Sequence, residues 1–197
     1  MQRSSRHAAV LQPSPWIARF AGLVAPRARV LDVAAGTGRH ARLFAARGAE
    51  VVAIDRDAEA LAALRDVTGI QTRVADLEGA AWPLSRENFD AIVVTNYLHR
   101  PRLRDLLGAL ADDGVLLYET FAAGNERFGR PSNPDFLLGD GELLDVVRGH
   151  LTVVAFEQGL VENGAQPAVV QRLAAVGPKR AWPPPLPEPV QRMDVPR

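Results

Sequence analysis

Cysteine is absent from all 197 residues, so disulfides, thiolate metal ligands and cysteine nucleophiles are excluded from the chemistry of this chain. An excess of either charge is also missing, because 23 Lys and Arg balance 23 Asp and Glu. Proteins that grip DNA or RNA draw much of their affinity from surplus cations, so no nucleic-acid partner is expected. Arg, Asp or Glu interrupts every apolar run well short of the ~20 residues of a membrane span, so no membrane partner is expected either. Residues 1–14 lack the apolar core of a secretory signal. These absences point to a cytoplasmic enzyme, with no metal site expected.

What is present suits one substantial domain, since 47% of the residues are apolar and the length is adequate for a single core. Residues 1–14 read as a flexible N-terminal segment and 15–177 as the domain. Residues 178–197 form a proline-rich tail whose run from Pro183 to Pro185 favours polyproline II, and it is expected to lie disordered outside the fold. Within the domain, short β-branched runs alternate with longer Ala/Leu/Arg-rich stretches. Strands are expected at 29–33, 50–54, 70–75, 89–95, 114–121, 151–156 and 168–175, and helices at 40–47, 58–65, 103–110 and 142–148. This alternation predicts an α/β, Rossmann-like, doubly wound sheet of seven mostly parallel strands. The last two strands are too close in sequence for a crossover, so they predict an antiparallel C-terminal edge hairpin.

The most informative segment runs Val30-Leu31-Asp32-Val33-Ala34-Ala35-Gly36-Thr37-Gly38-Arg39-His40. An apolar strand enters a glycine turn and a helix starts directly after it. Gly36 and Gly38 allow tight backbone geometry, and the N–H groups at the helix start favour a negative ligand group. Gly36-x-Gly38-x-x-Ala41, with Asp55 downstream, also matches a loose dinucleotide fingerprint, so an NAD(P)-dependent oxidoreductase stays open as an alternative. Three features weigh against it. Asp32 is an acid inside an apolar strand, costly to bury unless a ligand cation partners it. Asp76 and Leu77 follow the third strand with a carboxylate for an exocyclic amine and an apolar contact for a purine. The edge hairpin is the third feature.

In this order, VLDVAAGTGRH, VVAIDRD, VADLE, FDAIVVTNYLHRP and GVLLYETF resemble the motifs of class I S-adenosylmethionine-dependent methyltransferases. Ala34 stands where the first of three glycines is commonest. The stretch from Tyr97 to Leu138 is similar to a small bacterial group labelled tellurite-resistance-like or generic methyltransferases. The resemblance implies S-adenosyl-L-methionine as cofactor. Asp55, followed by Arg56, would hold the ribose hydroxyls, and Asp76 and Leu77 the adenine. Asp32 and backbone around Ala34, Gly36 and Gly38 would receive the methionine amino group. Thr95 and Asn96 would border the sulfonium end.

Ligands in open α/β sheets bind beyond the carboxyl ends of the strands. Tyr97 and His99 are the candidate catalytic residues there, with His99 as the candidate base at neutral pH. Arg100, Glu119, Phe128 and Arg130 are the candidate substrate-binding residues, the arginines suited to an anion. Residues 122–138 carry Gly124, Gly129, Pro131 and Pro134 and read as a lid. Asn96-Tyr97 lacks the prolines of the Asn-Pro-Pro-Tyr/Phe tetrad, which turns the reading away from nucleic-acid bases toward a small-molecule acceptor. Trp16 is a candidate cofactor cover. A non-catalytic module that keeps the cofactor pocket is the third reading, and a lid closed by apolar packing with no acceptor cavity would support it.

Overall fold

The computed structural model describes residues 12–162 and 166–187. Seven strands form one sheet: β1 (Arg29–Val33), β2 (Glu50–Asp55), β3 (Ile70–Val74), β4 (Phe89–Thr95), β5 (Leu110–Phe121), β6 (Thr152–Val161) and β7 (Ala168–Val176). Their order is β3-β2-β1-β4-β5-β7-β6. The first five strands are parallel to one another, while β7 runs antiparallel to both β5 and β6. The expected hairpin is therefore present at that edge. Its reversed member, β7, is the inner strand, and β6 is the outer one.

Strand residues alternate between two buried faces. Leu31, Val33, Ile54, Ile92, Val94 and Tyr118 point into one core, and Val30, Val51, Ala53, Val93 and Leu117 into the other. Burial on both faces explains why these strands read as continuous apolar runs rather than as alternating ones. The helices covering them are α1 (Pro15–Phe20), α2 (Arg39–Ala46), α3 (Ala58–Ala62), α4 (Leu103–Gly108) and α5 (Glu142–Val147).

Both ends of the domain differ from the sequence expectation. Ser14, placed in a flexible segment, is buried and caps α1 by accepting hydrogen bonds from the Trp16 and Ile17 amides. Its own N–H donates to His40 Nε2 at 3.1 Å and its hydroxyl to Glu119 Oε2 at 2.7 Å. Pro15 occupies the first helical turn, where its missing N–H costs nothing. The rest of the expected N-terminal segment, 1–11, lies outside the described residues.

The start of the proline-rich tail also touches the domain. The Lys179 amide donates to the Asp112 carbonyl, Arg180 donates to the carbonyls of Leu23 and Asp113, and Pro184 is buried. A proline-rich segment forms no sheet ladder, but side chains and carbonyls beside the prolines can still bond to a surface. The remainder, 188–197, lies outside the described residues. No helix among the described residues is long and apolar enough to cross a membrane.

Candidate active site

The carboxyl ends of β1, β2, β3 and β4 converge on a cavity of about 230 Å³ lined by Ala34, Asp55, Arg56 and Ala75, and by Asp76, Leu77, Glu78 and Tyr97. A second cavity, of about 250 Å³, lies beyond Glu78 and Tyr97, which line both. Its other walls are Asn96, Leu98, Thr120, Phe121, Pro131 and Phe136. Two adjoining cavities at strand ends provide a place for each of two ligands.

Backbone geometry builds this floor. Ala34 ends β1 at φ 52° and Asn96 ends β4 at φ 54°, both in the left-handed region. Asparagine tolerates that region and alanine adopts it at a cost, so the turn after β1 stores a little strain beside the first cavity. Gly38, at φ 78°, begins α2, and a Cβ there would lie 2.3 Å from Leu64 Cδ1. Gly38 is thus required by helix packing, and it lines neither cavity. Gly36 donates its N–H to Asp55 Oδ2 at 2.8 Å, tying the turn to the end of β2.

Those bonds weigh against a dinucleotide. The Gly36 amide is held by Asp55, the Gly38 amide by the Ala35 carbonyl, and the Ala41 amide by Asp32 Oδ2 at 2.8 Å. A pyrophosphate would need these N–H groups free. In the turn that matches the loose dinucleotide fingerprint, these three donors are engaged by the protein's own carboxylates and carbonyl.

Asp32 is buried in the central strand β1, and its Oδ1 has no hydrogen-bond partner. Burial pushes its carboxyl up to about 7, against the lowering effects of the Ala41 amide and Arg39. An unsatisfied buried oxygen is costly to leave unmade, and a ligand ammonium would satisfy it. Asp55 Oδ1 accepts from the Asp57 amide and Asp76 Oδ1 from the Glu78 amide. Each carboxylate oxygen keeps a second lone pair, so acceptor capacity for hydroxyls and an amine remains on the cavity wall.

Thr95 points away from the cavities. Its Oγ1 lies 3.2 Å from Nδ1 of His40, which is buried and pushed down to about 3 by that burial and by Arg39. His40 is therefore neutral, accepting at Nε2 from Ser14 and donating at Nδ1 to Thr95. Sequence reasoning places His40 at the end of the glycine-turn motif but gives it no role, because its partners Ser14 and Thr95 lie far from it in sequence.

The candidate catalytic pair separates. Tyr97 lines both cavities, its buried hydroxyl has no partner, and burial together with Glu78 and Asp76 pushes its phenol up to about 12. Its backbone carbonyl accepts from the buried Tyr118 hydroxyl at 2.8 Å, a positioning contact that the strand pattern did not signal. His99 lines neither cavity and stands at the start of the 3-10 turn Arg100–Arg102.

The candidate substrate residues lie elsewhere. Arg100 bonds both oxygens of Glu142 and the carbonyls of Asp135 and Leu137. Glu119 is buried between Ser14 and Arg172. Phe128 and Arg130 line neither cavity, whereas Pro131 and Phe136 of the same segment do. That segment is pinned by the Ala122–Leu138 bridge and by Asn125, which accepts from the Val169 amide and donates to the Pro131 carbonyl. Trp16, read as a cofactor cover, is instead buried in the second core against Phe20, at a ring separation of 4.5 Å. An apolar helix face explains its position better than a ligand does.

Residues 30–112 match the family model described as a methyltransferase domain. No curated protein matches the chain in sequence. Among solved structures, TehB from Haemophilus influenzae is similar with a TM-score of 0.66 at 21% identity, covering 80% of this chain. This chain spans only 59% of that one. A TehB-like SAM-dependent methyltransferase from Corynebacterium glutamicum is similar with a TM-score of 0.60 at 22% identity, covering 86% of this chain and 94% of its own. The N-methyltransferase NodS from Bradyrhizobium japonicum gives 0.62 at 16% identity, covering 89% and 97%. These likenesses are in the fold.

Proposed function

We propose that the chain, whose residues 30–112 match the methyltransferase-domain model, transfers a methyl group from S-adenosyl-L-methionine to a small-molecule acceptor. The observation that carries this reading is the pair of cavities sharing Glu78 and Tyr97, the first of them edged by acids at the ends of β2 and β3. The residues present fit the cofactor. Asp55 would accept from the ribose hydroxyls and Asp76 from the adenine amine, with the Leu77 side chain against the purine. The unpartnered Asp32 Oδ1 and the carbonyls near Ala34 would receive the methionine amino group.

Bound there, the sulfonium supplies an already activated methyl group. What the chain must add is alignment and exclusion of water, which together can lower a barrier by roughly 7–11 kcal/mol. Tyr97 stands between the two cavities and, as a phenol that keeps its proton, offers a neutral hydrogen-bond donor at their junction. Pro131 and Phe136 bring residues 122–138 over the second cavity as its cover. The presence of that cavity speaks against a non-catalytic module.

Calorimetry tests the reading. S-adenosylhomocysteine should bind to the full chain, and NAD and NADP should give no comparable heat. Nicotinamide binding without adenosyl-sulfur binding would refute it.

A further inference from the structure

We infer that the second cavity takes an amine carried on a small apolar body, so that nitrogen is the methyl-accepting atom. This rests on the methyl-transfer reading above and goes further in naming the acceptor class. Among the described residues lining the cavity, Glu78 is the only charged one. Tyr97, Phe121 and Phe136 bring three aromatic rings to the same space, with Asn96 and Thr120 as polar neighbours. A carboxylate beside aromatic rings attracts positive charge, since rings offer cations their negative faces.

Other acceptor classes fit the walls poorly. A carboxylate or phosphate acceptor would need a cation, and Arg100 is engaged by Glu142 and two backbone carbonyls while Arg130 lines neither cavity. An alcohol is a far weaker acid than an ammonium and would need a stronger base than a carboxylate, and the described wall offers Glu78 and no histidine. Tyr97 keeps its own proton at neutral pH, its phenol being held at about 12. An amine needs no such base once its free form is present, because the nitrogen lone pair is the nucleophile.

The step balances with groups on the page. An amine bound as the ammonium first gives one proton to water; the nitrogen lone pair so freed attacks the methyl carbon, a carbon–nitrogen bond forms, and the carbon–sulfur pair stays on sulfur as a thioether. Positive charge thereby moves from the sulfur to the nitrogen. Glu78 and the three rings would stabilise it there as it develops, which is where fixed charge lowers a barrier. The extra N–H proton then passes to Glu78 or to water.

The test uses the full chain saturated with S-adenosylhomocysteine and three probes of similar shape: benzylamine, benzyl alcohol and benzoate. Benzylamine should bind at least about tenfold more tightly than the other two. Glu78→Gln should erase that preference. Phe136→Ala should weaken benzylamine severalfold and leave S-adenosylhomocysteine affinity unchanged, because Phe136 lines only the second cavity. Phe136 is 49% exposed, so this variant folds without loss of core packing. Equal or tighter binding of benzoate, no binding of benzylamine, or a preference that survives Glu78→Gln each overturns the proposal. Absence of S-adenosylhomocysteine binding would instead sink the methyl-transfer reading and this one with it. Cofactor binding without amine preference sinks the acceptor assignment alone.

Discussion

Asp55 accepts hydrogen bonds from Gly36 and Asp57 while it lines the first cavity, so it serves the turn and the ligand together. Replacing it by Ala would remove both roles; Asp55→Asn keeps one acceptor oxygen for the turn and removes the charge. That variant should weaken S-adenosylhomocysteine binding by about 1.5–3 kcal/mol and leave thermal stability nearly unchanged. Unchanged affinity in calorimetry would make Asp55 a turn residue only. Asp32 and His40 illustrate burial acting on opposite charges. The Asp32 carboxyl rises from 3.8 to about 7, so the folded chain holds an extra proton there between those values. His40 falls from 6.5 to about 3, so the unfolded chain holds an extra proton over that range. The two contributions to stability therefore oppose one another between about pH 4 and 6.5. Asp32→Asn leaves the histidine alone, and the stability it contributes should be lost as pH falls below 6.5. His40→Gln leaves the aspartate, whose destabilisation should grow as pH rises from 3.8 to about 7. The difference between the two variants' urea midpoints across this range isolates the pair, and parallel profiles would contradict the assignment.

At the scale of elements, α1 shows how a six-residue helix too short to stand alone is held in place. Ser14 caps it, donates its hydroxyl to Glu119 on β5, and donates its amide to His40 on α2. Arg172 on β7 approaches the same Glu119 oxygen at 3.1 Å. The glutamate read as a substrate contact is thus the joint between a helix and two strands. Ser14→Ala should lower stability by about 2 kcal/mol in chemical denaturation, through the lost cap and the unmet Glu119 bond. A loss below about 0.5 kcal/mol would show that solvent replaces these bonds. The segment 122–138 is governed by similar ties: Arg100 and Asn125 anchor it, and only Pro131 and Phe136 reach the second cavity.

For the molecule as a whole, the chain after Gly177 is part of the fold's surface at least as far as Pro187. The Arg180 guanidinium bonds to the Leu23 and Asp113 carbonyls, and Pro187 offers its carbonyl to Arg19 of α1. Truncation after Gly177 should therefore lower Tm by about 2–8 °C, the equivalent of one or two net hydrogen bonds. S-adenosylhomocysteine affinity should stay constant, because none of residues 178–187 lines either cavity. An unchanged Tm would return the segment to the status of an independent tail.

The sequence by itself determined the seven strands, their doubly wound, mostly parallel class with its edge hairpin, and the acids at or near the ends of β1, β2 and β3. Both-face burial writes apolar runs into a parallel sheet, and a glycine turn between strand and helix has few alternatives. Asp55, Arg56, Asp76, Leu77 and Ala34 were legible as neighbours because each follows a strand at the same end of the sheet. Only the tertiary structure decided which side chains beyond the strands reach the cavities. His99 and Arg100 follow β4 as directly as Tyr97 does, yet the left-handed turn at Asn96 and the 3-10 turn at Arg100–Arg102 direct the chain so that Tyr97 alone of the three lines the cavities. Glu78 ends the VADLE motif and Phe136 lies in the expected lid, yet the sequence alone singles out neither as a site residue. They meet across the second cavity through contacts between segments distant in sequence, and no local pattern encodes such a meeting.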